Sequence, residues 1–401
     1  MSSTKTQSKF VKLIMVSSDN RNKYYEMTYN GGSTFTVKYG RVESTSTTAS
    51  YPISMWDSKY NEKVKKGYKD VTAFVAIDLT KVTKSEFKNA LVGIPLVDEF
   101  LESMQRYTNN LVSNTYSVKA EAVTQAQLDA AQALLDQLNG KGKKLTTDKE
   151  VNDVLIALYT TIPRRMSKVN EHLLPQIALK DILEDEQDNL DAMASQVALT
   201  NPKPSKTPKK KEEKKTLLDL MGASMDIAKN TKELKYLLDQ MPKNIKIKGI
   251  FEVNKPTEDA DFEEWKSTRK NKTTKLLIHG TKCTSVIPIL EIGLKIRPKG
   301  NFQFSGKAYG NGNYFSEVVQ KSLGYTGWDK DKILLVYEVH TGNPFVYDGW
   351  YRGNSFPLTL KDLTDRGFDS THVNAGNGLL NSEIIAYSEK QNRIKYILWL
   401  Q

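Results

Sequence analysis

Apolar residues recur along this chain with two different periods, and the change of period divides it. From about residue 9 to 71 the alternation is close to every second residue, and segments 10–16, 23–29 and 33–39 read as strands, with Asn30-Gly31-Gly32 as the hairpin turn between the last two. Residues 55–68 then form a helix-like stretch with aromatics among lysines, stopping near Gly67. From about 85 to 199 the spacing lengthens to three and four, which predicts helices over 96–104, 124–138 and 148–162. Thr124 is the expected N-cap of the second, with Gln127 in the capping-box position, and the third stops before Pro163. Residues 201–215 alternate Pro and Lys with nothing to bury, so they read as an extended linker.

The last region, 216–401, opens on apolar spacing that predicts one amphipathic helix over 217–241. Strands are expected at 245–253, 275–278, 313–316, 333–340, 382–388 and 394–399, with Gly and Asn in the turns between them. No regular strand-helix-strand alternation is visible, and Gly310-Asn311-Gly312 alone is too little for a dinucleotide-binding turn, so a doubly wound fold is disfavoured. The chain therefore reads as multidomain α+β: a small β-rich module at 1–80, an α-helical bundle at 81–200, the linker at 201–215 and a mixed α/β region at 216–401.

Composition narrows the chemistry. A net charge of +11 suits a polyanionic partner such as nucleic acid, and equally a Lys-rich solvated surface. The one cysteine, Cys283, allows no internal disulfide, which fits a reducing compartment. With only His172, His279, His340 and His372 besides, no structural metal is expected. No apolar run is long enough to span a bilayer, so the simplest reading is a soluble intracellular protein without membrane association.

Three late segments carry the chemistry: Leu276-Leu277-Ile278-His279-Gly280-Thr281, Gly310-Asn311-Gly312-Asn313-Tyr314-Phe315-Ser316 and Asn381-Ser382-Glu383-Ile384-Ile385-Ala386-Tyr387. Each sets one polar or aromatic residue at the edge of an expected strand, and each has an ordinary structural reading when taken singly. Together, His279, Tyr314 and Glu383 resemble the triad of the poly(ADP-ribose) polymerase catalytic domain. That resemblance implies an ADP-ribosyltransferase fold with a split, mostly antiparallel sheet, no permanently bound cofactor, and NAD+ as a consumed substrate. It implies that Gly280 and Ser322 hold the nicotinamide carboxamide and that Tyr314 and Tyr325 sandwich the ring. His279 and Thr281 would meet the adenosine-side ribose, Lys295 the pyrophosphate, and Glu383 the nicotinamide-ribose 2′-hydroxyl.

The upstream regions carry resemblances of their own. Strands followed by Tyr39-Gly40-Arg41 and the lysine-rich helix resemble the WGR domain of DNA-dependent members of that family, with Tyr39 where the name-giving Trp stands. This implies DNA-break binding through Tyr39, Arg41, Lys63, Lys65 and Lys66; the plain reading of the cations is a solvated face, and Trp56 is read as core. The segment 125–131 followed by 151–163 is similar to two helices of the family's regulatory bundle, which implies autoinhibition relieved by DNA. The combined expectation is a poly(ADP-ribose) polymerase activated by DNA strand breaks, modifying itself and other proteins in DNA repair, nuclear in a eukaryote and otherwise cytoplasmic or nucleoid-associated. Mono-ADP-ribosyl transfer and a non-enzymatic DNA-end scaffold are the alternatives. The linker, with Ser205, reads as a spacer, an import-like basic run or a self-modified stretch.

Overall fold

The computed structural model describes residues 8–42, 44–72, 90–142, 144–200, 215–297, 299, 308–349 and 359–401. The expected linker, including Ser205, lies outside them apart from Lys215. The chain divides into two compact units, 1–86 with 111–201 and 87–110 with 202–401.

The first unit begins with strands β1 (Lys9–Ser17), β2 (Arg21–Tyr29), β3 (Thr34–Arg41) and β4 (Thr47–Pro52), then helix α1 (Trp56–Lys65) and the short β5 (Lys69–Asp70). They form one antiparallel sheet in the order β4-β3-β2-β1-β5. Alternation places Tyr25, Met27, Phe35 and Val37 on the inner face with Leu13, and α1 closes it through Trp56, whose ring meets Phe35 edge-on at 5.0 Å. Strand β4 was not expected, because its sequence is mostly polar.

Helix α2 (Pro95–Thr115) belongs to this unit only from residue 111; α3 (Gln125–Leu138), α4 (Asp148–Thr161) and α5 (Leu179–Thr200) belong to it entirely. The Thr124/Gln127 capping box is formed, and Gln127 Nε2 also donates to the Thr161 carbonyl at 2.8 Å, fastening the start of α3 to the end of α4. Between α4 and α5, Arg164 and Glu186 make a buried ion pair, with the guanidinium 4.1 Å over the Tyr116 ring. The segment around Arg164 is also gripped by the sheet. Asn22 Nδ2 donates to the carbonyls of Arg164 (3.3 Å) and Met166 (3.4 Å), Arg41 donates to that of Ser167, and Asn20 Oδ1 accepts from Asn170 N at 3.1 Å.

In the second unit the expected helix over 217–241 is replaced by α6 (Leu217–Met221), β6 (Ser224–Ile227) and α7 (Lys235–Leu238). Gly222 stops α6 at a left-handed φ of 63°, and the edge of the following strand recruits Met225 into a sheet instead of a helix face. The chain continues through β7 (Ile247–Asn254), α8 (Pro256–Ser267), β8 (Thr274–Thr281), α9 (Val286–Ile292), β9 (Asn313–Phe315) and α10 (Val319–Leu323). It ends with β10 (Lys332–His340), β11 (Pro344–Asp348), α11 (Leu360–Asp365), β12 (Ser370–Asn374), β13 (Glu383–Ala386) and β14 (Asn392–Leu400).

These strands make two sheets, β6-β7-β14-β10-β8 and β11-β12-β13-β9, antiparallel except between β11 and β12. Leu334, Val336, Leu398 and Leu400 pack one face of the first sheet against Leu234 and Leu237, while Phe251 and Trp399 stack with Phe100. The two sheets meet at one point, where Ile278 and Ser316 exchange both main-chain hydrogen bonds at 2.9 Å. His279, Gly280 and Thr281 follow immediately on β8, at that seam.

Candidate active site

Glycine at position 280 is a steric requirement. A Cβ there would stand 1.8 Å from the Ser322 carbonyl oxygen, so α10 can approach β8 only because the side chain is missing. Ser322 is buried and its Oγ lies 3.5 Å from the Ile278 carbonyl. Thr281 is buried one residue on, and Tyr325, about half exposed, stands on the turn after α10, where its N–H donates to Ser322 O at 3.1 Å.

His279 Nδ1 lies 3.0 Å from the Tyr314 carbonyl. A carbonyl only accepts, so Nδ1 carries the hydrogen and Nε2 is the acceptor in the neutral ring. Desolvation by the surrounding packing pushes the imidazole below its ordinary pKa, favouring that neutral form. Tyr314 is fixed at its hydroxyl by two hydrogen bonds. Its hydroxyl donates to Gly310 O at 2.8 Å and accepts from Tyr309 N at 2.9 Å, and burial drives its pKa well up.

Register brings Glu383 to the same place. Tyr314 on β9 is paired with Ile385 on β13, and Glu383 precedes Ile385 by two, so Glu383 and Tyr314 project from one face of the four-stranded sheet. Glu383 is 8% exposed, and its Oε1 lies 2.5 Å from Lys321 Nζ, which also donates to the Asn381 carbonyl at 3.3 Å. Lys321 was not among the expected site residues. It stands beside Ser322 on α10, and only the fold brings it to a carboxylate 62 positions later. Lys295 is paired at 2.8 Å with Glu389.

The expected DNA-binding residues fall in the first unit. Tyr39 is partly exposed with its ring 5.8 Å from Tyr25, and Lys63 Nζ lies 4.5 Å over the same Tyr25 ring. Lys66 is paired at 2.6 Å with Glu62, Lys65 is exposed, and Arg41 is turned to the Ser167 carbonyl. Among the described residues no cluster of His, Cys, Asp and Glu could hold a metal ion, and no helix is long and apolar enough to cross a membrane.

Residues 224–401 match the family profile described as the poly(ADP-ribose) polymerase catalytic domain. The chain is 55% identical over 169 residues to the poly(ADP-ribose) polymerase-like protein 100L of Invertebrate iridescent virus 6, covering 42% of this chain and 93% of that one. It is 45% identical over 188 residues to protein 101L of the same virus, covering 47% and 77%. To poly(ADP-ribose) polymerase 1 of Gallus gallus it is 22% identical over 390 residues, which is 86% of this chain and 38% of the bird protein. The chain thus belongs to the poly(ADP-ribose) polymerase family, enzymes that transfer ADP-ribose from NAD+.

Proposed function

We propose that this enzyme is switched on by DNA strand breaks and builds poly(ADP-ribose) on itself and on other proteins. The observation that supports the DNA-dependent part is the position of Arg41. Its guanidinium, beside the partly exposed Tyr39 on β3, is engaged with a main-chain carbonyl of the segment that joins α4 to α5. A DNA phosphate offers that guanidinium a charged, bidentate partner that a carbonyl cannot match. Binding at a DNA end therefore loosens a segment fastened to the buried Arg164–Glu186 pair, and the helices α3, α4 and α5 are the regulator that responds.

For the chemistry, the bond between nicotinamide and ribose breaks with its electrons leaving on nicotinamide, and positive charge develops on the sugar. The Glu383 carboxylate stabilises that charge and accepts the proton of the incoming acceptor, while Lys321 orients it. Gly280 and Ser322 hold the carboxamide, Tyr314 and Tyr325 the ring, His279 and Thr281 the adenosine ribose. No metal is assigned a step. The same carboxylate can activate a ribose hydroxyl of a growing chain, which is what elongation requires.

The test is ADP-ribosylation from labelled NAD+ by the full chain, with and without a 5′-phosphorylated nicked duplex, resolved on a gel. A DNA-dependent smear supports the proposal, and a sharp shifted band means mono-transfer. Equal incorporation with and without DNA removes the switch. Arg41→Ala is expected to reduce DNA-stimulated activity more than basal activity; equal loss of both removes its sensing role.

A further inference from the structure

The turn carrying Lys295 is tied to the site. It leaves α9 through Gly293, at φ 81°, and the carbonyl of Leu294 accepts from Asn313 Nδ2 at 3.0 Å, one residue before Tyr314. At the next two positions, Lys295 Nζ and Ile296 N–H both reach the same carboxylate: Glu389 Oε2 at 2.8 Å and Oε1 at 3.1 Å. An ammonium and a main-chain N–H converging on two oxygens make a small anion site, and Glu389 fills it from within the chain. The neighbouring Lys390 does not share in it, being paired with Asp261 at 3.1 Å and Glu264 at 2.5 Å.

The occupant is exchangeable. Both side chains are about one-third exposed, 29% for Lys295 and 35% for Glu389, where an ion pair contributes little net stability. A cavity of about 310 Å³ has the pair in its wall and gives the carboxylate room to move, toward Lys255 and away from the acidic Glu258, Asp261 and Glu291 that also line it.

We propose that Glu389 is a specificity-determining residue of the donor site. It occupies in the free enzyme the anion position that the pyrophosphate of NAD+ takes over, and so sets the cost of admitting the dinucleotide without affecting nicotinamide alone. This rests on the assignment of Lys295 to the pyrophosphate.

Glu389→Gln keeps an oxygen for the Ile296 N–H and removes the competing charge. In the full chain it is expected to lower KM and the calorimetric Kd for NAD+ by about two- to fivefold. The gain should shrink as salt is raised, and inhibition by free nicotinamide, which reports an intact fold, should be unchanged. Lys295→Met is the companion variant and is expected to raise KM. An unchanged KM in Lys295→Met overturns both the lysine's assignment and this inference. A raised KM there, with NAD+ bound no tighter by Glu389→Gln, overturns the inference alone and makes Glu389 a support for the lysine.

Discussion

Replacing Glu383 with glutamine tests the site most directly, because shape and charge separate cleanly. The amide retains an oxygen for Lys321, which lies 2.5 Å from the carboxylate, and loses one negative charge. A carboxylate about 4 Å from a ribose bearing a full positive charge attracts it by roughly 4 kcal/mol at an effective dielectric of about 20. The lysine ammonium, taken to stand directly behind the carboxylate, 2.5 Å farther out and so about 6.5 Å from the sugar, opposes this by about 2.5 kcal/mol. Glu383→Gln deletes the attraction and leaves the repulsion standing, so single-turnover nicotinamide release should fall by about 10³. Removing the lysine as well, in Glu383→Gln/Lys321→Met, takes the repulsion away and should restore all but about tenfold of the rate. The double variant is thus expected to be faster than the single one. Calorimetric NAD+ binding should stay within about threefold in both, since the effect belongs to the transition state. Two results refute the reasoning: a Glu383→Gln rate within tenfold of the parent, or a double variant no faster than the single.

Three further outcomes follow from geometry and charge. Gly280→Ala should cost about 1–3 kcal/mol or more, read as lost thermal stability together with lost activity, because its Cβ collides with the Ser322 main chain at 1.8 Å; a normal melting curve with full activity would contradict the packing described. Glu186→Gln leaves the Arg164 guanidinium buried without its counter-charge and should destabilise the first unit by about 3–5 kcal/mol in denaturant unfolding, with Arg164→Met/Glu186→Leu recovering much of the loss. His372 is held down to about 4 by burial, with the nearby Lys275 adding to it. The unfolded chain takes up that proton near 6.5, so its contribution is complete above about pH 6.5 and is lost as pH falls toward 4. Urea midpoints at pH 7.5 and 5 should show a steeper fall in the parent than in His372→Gln, and parallel falls would exclude this histidine.

Sequence made some of this legible because the signal was local. The alternating segments became β1, β2 and β3, and Thr124 with Gln127 marked the start of α3. Other strands gave no such signal. β12 reads Ser-Thr-His-Val-Asn and β6 Ser-Met-Asp-Ile, each made a strand by its partner and not by its own pattern. The 217–241 error has the same origin, since Leu217, Met221, Met225, Leu234 and Leu237 keep helical spacing while serving α6, β6, a 3-10 turn and α7, and Gly222 was the stop that outweighed them. At the candidate site, the motifs name His279, Tyr314 and Glu383, and the structure sets the His279 ring against the Tyr314 carbonyl and Glu383 on the same sheet face as Tyr314. That Glu383 faces Lys321, and Lys295 faces Glu389, depends on register between distant strands and loops, which no single stretch of sequence encodes.

The grip of the N-terminal sheet on the segment after α4 bears on how this enzyme can be taken apart. Asn22 is almost entirely buried, and both of its carbonyl partners, on Arg164 and Met166, come from more than 140 residues away. A fragment ending before them exposes that amide and strips the sheet of the segment it holds. The β-module is accordingly not a self-contained unit. Grafted alone onto another protein it would carry an unfinished surface, and whatever it binds can be measured only with the helices still attached.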